Sequence, residues 1–338
     1  GSRRVFALAL HRCWSKNPGT VDSLRDSNDI QIWAHFAPEG FEAELEEELR
    51  SSSRQEILAR YGRLFLAQGP AFDPAWAQTT WIEPEEVPIQ SINDAARQLR
   101  SRALRWIPYA FQLYRRTELI REKLPKVREE KLHFLAPLPD RRMGHWTLID
   151  ANRLLVSTRT TTPLPHGEIH FHEDKTAPSR AYLKLWELFT AHGVRPPQPG
   201  ESCLDLGASP GGWTWVLAHL GCSVKAVDRS PLAPAVGRLK NVSFTKGNAF
   251  TLAPSSVGRI DWLFSDVICT PEKSYQLIDK WLSSGLVRNI VCTIKFKGKT
   301  DHEIIQRLRA IPGAKIKHMF HNKHELTWWR IDSSSLPS

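Results

Sequence analysis

The hydrophobic pattern changes character along the chain. Ile30-Gln31-Ile32-Trp33-Ala34-His35-Phe36 alternates and predicts a strand over 30–36, and Pro38-Glu39-Gly40 then turns the chain into an acidic helix over 41–50. A second strand is expected at 61–67, followed by proline-punctuated chain from 70 to 88. Helices over 92–104 and 110–124 come next, and short strands at 131–136, 146–149 and 154–158 close this half. Beyond a helix at 178–192, short apolar runs at 202–206, 223–227, 242–244, 260–264, 289–294, 315–320 and 326–331 alternate with helices near 212–220, 271–284 and 301–310. That alternation predicts a mostly parallel sheet covered on both faces. Only 321–325 separates the last two strands, too little for a parallel crossover, so they are expected to be antiparallel.

Thr160-Thr161-Thr162-Pro163-Leu164-Pro165-His166-Gly167 is the natural linker between the halves. The expected organisation is a weakly ordered lead-in at 1–28, an α+β accessory domain at 29–165, an α/β domain at 166–332 and a polar tail at 333–338. With 338 residues, 41% of them hydrophobic, the chain is long enough for two domains and rich enough for sizeable cores. No apolar run reaches the roughly 20 residues of a membrane helix. The leading Gly1-Ser2 reads as a cloning scar. Five cysteines in no paired spacing argue against a zinc module or a secreted disulfide framework and fit a reducing cytoplasm. A formal charge of +10 suits a polyanionic partner. Residues 97–131 hold eleven Lys or Arg against four Glu, with Tyr109, Phe111 and Tyr114 interleaved. Stacking surfaces for RNA have that composition, and so does an ordinary solvated helix pair with its aromatics turned inward.

The most informative stretch is Cys203-Leu204-Asp205-Leu206-Gly207-Ala208-Ser209-Pro210-Gly211-Gly212-Trp213-Thr214. An apolar strand runs into a turn of small residues and then into a helix, an arrangement that lets backbone approach a ligand closely. Asp228 ends the next strand, where an acid can accept bonds from ribose hydroxyls. A dinucleotide oxidoreductase would show Gly-x-Gly-x-x-Gly, a spacing that Ser209-Pro210 and the adjacent Gly211-Gly212 break.

This stretch resembles motif I of the FtsJ-like RNA ribose 2′-O-methyltransferases. The resemblance implies a Rossmann-like class I methyltransferase domain that binds S-adenosyl-L-methionine. Ser179, Asp205, Gly207, Ala208, Ser209, Pro210, Gly211, Gly212, Trp213, Asp228, Asn248 and Asp266 are then the expected cofactor contacts. It also implies a Lys–Asp–Lys–Glu catalytic tetrad, carried over to Lys184, Asp266, Lys295 and Glu325. Each has a plainer reading: Lys184 as a snorkelling lysine, Asp266 as a cap, Lys295 as one of three alternating lysines with Lys297 and Lys299, Glu325 as the end of a loop. In the tetrad reading, a lysine desolvated beside a second cation has a lowered pKa and serves as base for a ribose hydroxyl; Lys295 takes that role. Lys184 supplies the neighbouring charge, Asp266 orients the amine near the methyl donor, and Glu325 completes the network. No metal is required by this scheme.

The segment 36–44 is similar to the opening of a bacterial branch of that family that methylates a cytidine ribose in 23S ribosomal RNA. The branch implies a ribosomal RNA partner and an amino-terminal THUMP-like RNA-binding domain, here expected in reduced form. Three departures stand out: Ala181-Tyr182 in the first-lysine helix, Ser209 where the family has cysteine, and Asn248 where it usually has aspartate. Two other classes remain open at this point: a catalytically inactive methyltransferase-fold protein that binds or assembles RNA, and a nucleotide-dependent oxidoreductase.

Overall fold

The computed structural model describes residues 31–128, 130–139 and 143–332, so the expected lead-in and tail lie outside the described residues. The amino-terminal half runs β1 (Gln31–Phe36), α1 (Glu42–Ser52), β2 (Glu56–Tyr61), β3 (Leu64–Gly69), β4 (Thr79–Ile82), β5 (Glu85–Pro88), α2 (Ile92–Arg102), β6 (Trp106–Tyr109), α3 (Tyr114–Arg121), β7 (Gly144–Asp150), β8 (Arg153–Ser157) and β9 (Arg159–Thr160). These strands form two sheets, β2-β3-β1-β4-β9 and β5-β8-β7-β6. The second closes over α2 and α3 around Leu99, Trp106, Ile120 and Trp146.

Several expectations for this half are corrected. The strand expected at 61–67 is the far arm of a hairpin, β2 and β3, turned at Gly62, whose φ of +62° suits glycine. The proline-punctuated stretch holds β4 and β5, because Pro84 and Pro88 sit at strand ends where no ladder bond is lost. No strand forms at 131–136; Leu132 makes one isolated bridge to Phe171. Residues 160–167 are not free chain: Thr160 pairs with Trp81, the Thr161 amide donates to the Thr80 carbonyl, and His166 stacks on Phe36.

The second half runs α4 (Tyr182–Ala191), β10 (Ser202–Leu206), α5 (Gly212–His219), β11 (Ser223–Asp228), α6 (Pro234–Gly237), β12 (Val242–Lys246), α7 (Pro254–Val257), β13 (Ile260–Ser265), α8 (Pro271–Ser284), β14 (Val287–Lys295), α9 (His302–Arg309), β15 (Ala314–Lys317) and β16 (Glu325–Arg330). Its sheet has the order β12-β11-β10-β13-β14-β16-β15, parallel from β12 to β14, with β16 antiparallel to both β14 and β15. This is the expected mostly parallel sheet with an antiparallel last strand. Alternation buries both faces: Cys203, Trp262, Phe264 and Val291 point into one core with α4 and α5, and Leu204, Leu206, Leu263 and Ile290 into the other with α8 and α9. The strand order reverses between β10 and β13, so their carboxyl ends open a crevice, the place where open α/β sheets bind ligands.

The two halves share a core. Leu45, Leu49, Phe65 and Trp76 pack into the same cluster as Trp281 and Trp328. Glu48, buried on α1, accepts from the amides of Ala75 (2.8 Å) and Trp76 (2.9 Å) and pairs with Arg309 of α9 (2.8 Å). Lys317 of β15 pairs with Asp73, and the His318 amide donates to the Ala75 carbonyl.

Candidate active site

Strand β10 delivers Asp205 and Leu206 to the crevice, and the chain then turns through Gly207 (φ +78°) and Gly211 (φ +115°). A Cβ at Gly207 would lie 2.9 Å from the Cα of Val267, and one at Gly212 would lie 2.5 Å from Ser179 Oγ, so the turn has room only for glycine there. The Ser209–Pro210 peptide is cis. Asp228, at the end of β11, clasps this turn: its carboxylate accepts from the amides of Ser209 (3.0 Å) and Ser230 (2.8 Å). Asn248 Oδ1 accepts from the Phe250 amide (3.1 Å). A cavity of about 760 Å³ opens above the turn, lined by Ser179, Asp205, Gly207, Ala208, Ser209, Pro210, Gly212, Trp213, Asp228, Asn248, Asp266 and Lys295. Of the expected cofactor contacts, only Gly211 stays off the wall, facing Val236 instead.

Two buried oxygens on this wall have no protein partner: Ser179 Oγ and Asp205 Oδ1. The other Asp205 oxygen accepts from Thr214 Oγ1 (2.6 Å). Burial pushes the Asp205 carboxyl up to about 7; the Thr214 bond opposes that shift and the Asp266 charge adds to it. Unsatisfied acceptors beside a cradle that admits no Cβ are what a polar, cationic ligand would need.

Beside the cavity four charged side chains meet. Lys184 projects from α4, Asp266 follows β13, Lys295 ends β14 and Glu325 opens β16. Lys295 and Glu325 are directly opposed in the antiparallel ladder. Lys184 Nζ lies 3.0 Å from Asp266 Oδ1 and 2.6 Å from Glu325 Oε1. Lys295 Nζ lies 2.6 Å from Asp266 Oδ1 and 2.9 Å from Glu325 Oε2. Each ammonium thus bridges both carboxylates in a closed ring, and the side chains are at most 18% exposed.

The ring corrects one expectation. Lys295 was expected to have a lowered pKa, and burial does work in that direction, but the Asp266 and Glu325 carboxylates outweigh it and raise the value. Two anions face the amine where one neighbouring cation had been expected to dominate. Glu325 shows the complement: burial acts upward, yet Lys184 and Lys295 bring it down to about 2.

Three supporting side chains were missed in the sequence. Thr293 lies two residues before Lys295, on the same face of β14, and its hydroxyl donates to Asp266 Oδ1 (2.6 Å). Glu187, one helical turn beyond Lys184, is fully buried and accepts from the amides of Phe320 (2.7 Å) and His321 (2.9 Å) and contacts His321 Nδ1 (2.7 Å). It ties the turn that carries Glu325 to the helix that carries Lys184. Asn322 donates weakly to Glu325 Oε1 (3.4 Å) and caps the Met319 amide (2.8 Å). Strand and helix periodicity counted outward from the two lysines could have found the first two.

The aromatic run of the amino-terminal half divides. Tyr109 meets Phe36 edge-on and its hydroxyl accepts from the Arg63 amide (2.7 Å), Phe111 packs on Tyr61, and Tyr114 is exposed.

Residues 177–310 match the FtsJ-like methyltransferase family. The matched segment contains the glycine turn, Lys184, Asp266 and Lys295, while Glu325 lies beyond it. The chain is similar to the ribosomal RNA large subunit methyltransferase M of Halorhodospira halophila, at 35% identity over 172 residues, 48% of this chain and 50% of that protein. Its namesake from Alkalilimnicola ehrlichii is 32% identical over 187 residues, 51% of each chain. The chain thus spans about half the length of the curated relatives it matches. Among solved structures, the Methanococcus jannaschii fibrillarin pre-rRNA processing protein aligns over 54% of this chain and 80% of its own, at 17% identity and a TM-score of 0.35, a likeness too distant to bear on function.

Proposed function

We propose that the protein is an S-adenosylmethionine-dependent methyltransferase that modifies a ribose 2′-hydroxyl in large-subunit ribosomal RNA. The observation that carries this reading is the closed Lys184–Asp266–Lys295–Glu325 ring at the edge of the glycine-cradled cavity. The similarity to ribosomal RNA methyltransferases supports the substrate class. The free cysteines Cys203, Cys222, Cys269 and Cys292 suit a reducing cytoplasm. The amino-terminal half, 29–165, is read as an accessory RNA-binding domain.

Bound in the cavity, S-adenosylmethionine supplies a methyl group already activated on a sulfonium. Asp205 and the backbone of 207–212, with Ser179 and Asn248 on the same wall, would hold it there. The resting ring holds Lys295 above the ordinary lysine value, and a cationic ligand beside Asp266 would draw on the same carboxylate and loosen that hold. Lys184 and Glu325 keep the amine aimed, and Lys295, once it has released its own proton to solvent, accepts the 2′-hydroxyl proton at Nζ as the oxygen attacks. Holding oxygen and methyl in line is worth roughly 7–11 kcal/mol in well-oriented systems.

The test is Lys295→Ala, assayed by transfer of labelled methyl groups to ribosomal RNA and by S-adenosylhomocysteine titration. Transfer is expected to vanish while the titration is unchanged. Transfer near the wild-type rate would remove Lys295 as base. A wild-type protein that binds the cofactor product and transfers nothing would favour an RNA-binding assembly role.

A further inference from the structure

The charged groups inside the cavity are largely engaged: its walls carry Asp228, held by amides, and Asp266, held by Lys184 and Lys295, besides Asp205. Its mouth carries Arg229, Lys273 and Lys297, three exposed cations on three different elements: the loop after β11, the first turn of α8 and the loop after β14. Among the described residues none of these three side chains has an ion-pair or hydrogen-bond partner. At the mouth the positive charge is left open. Lining the same cavity, Ile268 stands 73% exposed on the loop after Asp266, although its neighbour Val267 packs against Gly207.

One small ligand accounts for the interior, since about 760 Å³ is the size of a single cofactor-sized pocket. It does not account for the mouth, where cations on separate elements face outward. An extended polyanion crossing from the loop after β11 to the loop after β14 would meet all three cations and lay a base against Ile268. We propose that the mouth is the binding surface for a single-stranded stretch of RNA, with Arg229, Lys273 and Lys297 taking backbone phosphates and Ile268 supplying the apolar platform. The inference rests on reading the cavity as an RNA methyltransferase site and adds the residues that hold the strand. Phosphate contacts release counterions and make affinity salt-dependent, whereas a contact with a base face leaves that dependence unchanged.

The experiment measures binding of a fluorescently labelled single-stranded RNA oligonucleotide to the full chain, with and without S-adenosylhomocysteine, across a fourfold rise in salt. Each lost phosphate contact flattens the log–log slope by about 0.7, so Lys273→Ala/Lys297→Ala should lose about sevenfold less affinity than wild type over that range. The double variant should also bind more weakly at low salt, and Ile268→Ala should bind more weakly at an unchanged slope. S-adenosylhomocysteine affinity, measured by calorimetry, should be the same in all three proteins and reports an intact cavity. An unchanged slope in the double variant overturns the proposal. Wild type that takes up S-adenosylhomocysteine but no RNA overturns it too, while leaving the methyltransferase reading intact. Wild type that binds RNA with a salt dependence the double variant loses, but takes up no S-adenosylhomocysteine, keeps the surface and removes the cofactor reading.

Discussion

Glu187→Gln tests the link between packing and the charged ring. Glu187 is 2% exposed, and its acceptors serve two backbone amides and a histidine of the turn that carries Glu325. Burial alone would raise its pKa, but the bonds to His192 and His321 and their charges bring it from 4.5 down to about 2. A carboxyl whose folded value is depressed stabilises the fold above its unfolded value and loses that stabilisation as pH falls through the folded one. The difference corresponds to about 3 kcal/mol at pH 7, shrinking to about 1 kcal/mol near pH 3. The isosteric amide keeps the volume and forfeits the charge, so urea denaturation should show Glu187→Gln less stable by about 3 kcal/mol at pH 7 and nearer to wild type at pH 3. Methyl transfer should drop as well, because the turn sets the reach of Glu325 toward both lysines. A loss below about 1 kcal/mol at pH 7, or a loss of equal size at both pH values, would refute the reasoning.

Thr293→Val removes a 2.6 Å bond to Asp266 without opening a cavity. Hydrogen bonds to charged groups are worth about 1.5–3 kcal/mol, and a tenfold or so fall in kcat at unchanged S-adenosylhomocysteine affinity is expected; equal kcat would show that the lysines alone hold Asp266. Asp205, raised to about 7, favours its neutral form in the fold, so its ionisation costs stability as pH climbs from the unfolded value toward 7. Affinity for an ammonium-bearing ligand should therefore strengthen from about pH 6 to 8, and Asp205→Asn should flatten the calorimetric profile; a flat wild-type profile would remove Asp205 from the binding site. Glu48→Ala strands two amides and Arg309 at the junction of the halves. Breaking such a buried pair costs about 3–5 kcal/mol, measurable by urea denaturation, and a loss under about 1 kcal/mol would mean that the junction relaxes around the gap.

The second half of the chain was legible because its physics is local. Short apolar runs separated by helices specify a covered parallel sheet, and 271–284 begins and ends as a helix where the sequence places Thr270-Pro271 and Gly285. The glycine turn was legible for the same reason: neighbours in sequence are neighbours in the loop. The amino-terminal half was less so, since short strands such as Thr79–Ile82 and Glu85–Pro88 owe their form to partners far along the chain, β1 and β8. The ring is the sharpest case. Residue type, order and family likeness were enough to select Lys184, Asp266, Lys295 and Glu325. Only the tertiary structure decided the balance of charge among them, because a lysine's proton affinity is set by what stands within a few ångströms. Here those neighbours are two carboxylates delivered by other strands, together with Thr293 and a Glu187-anchored turn that hold them there.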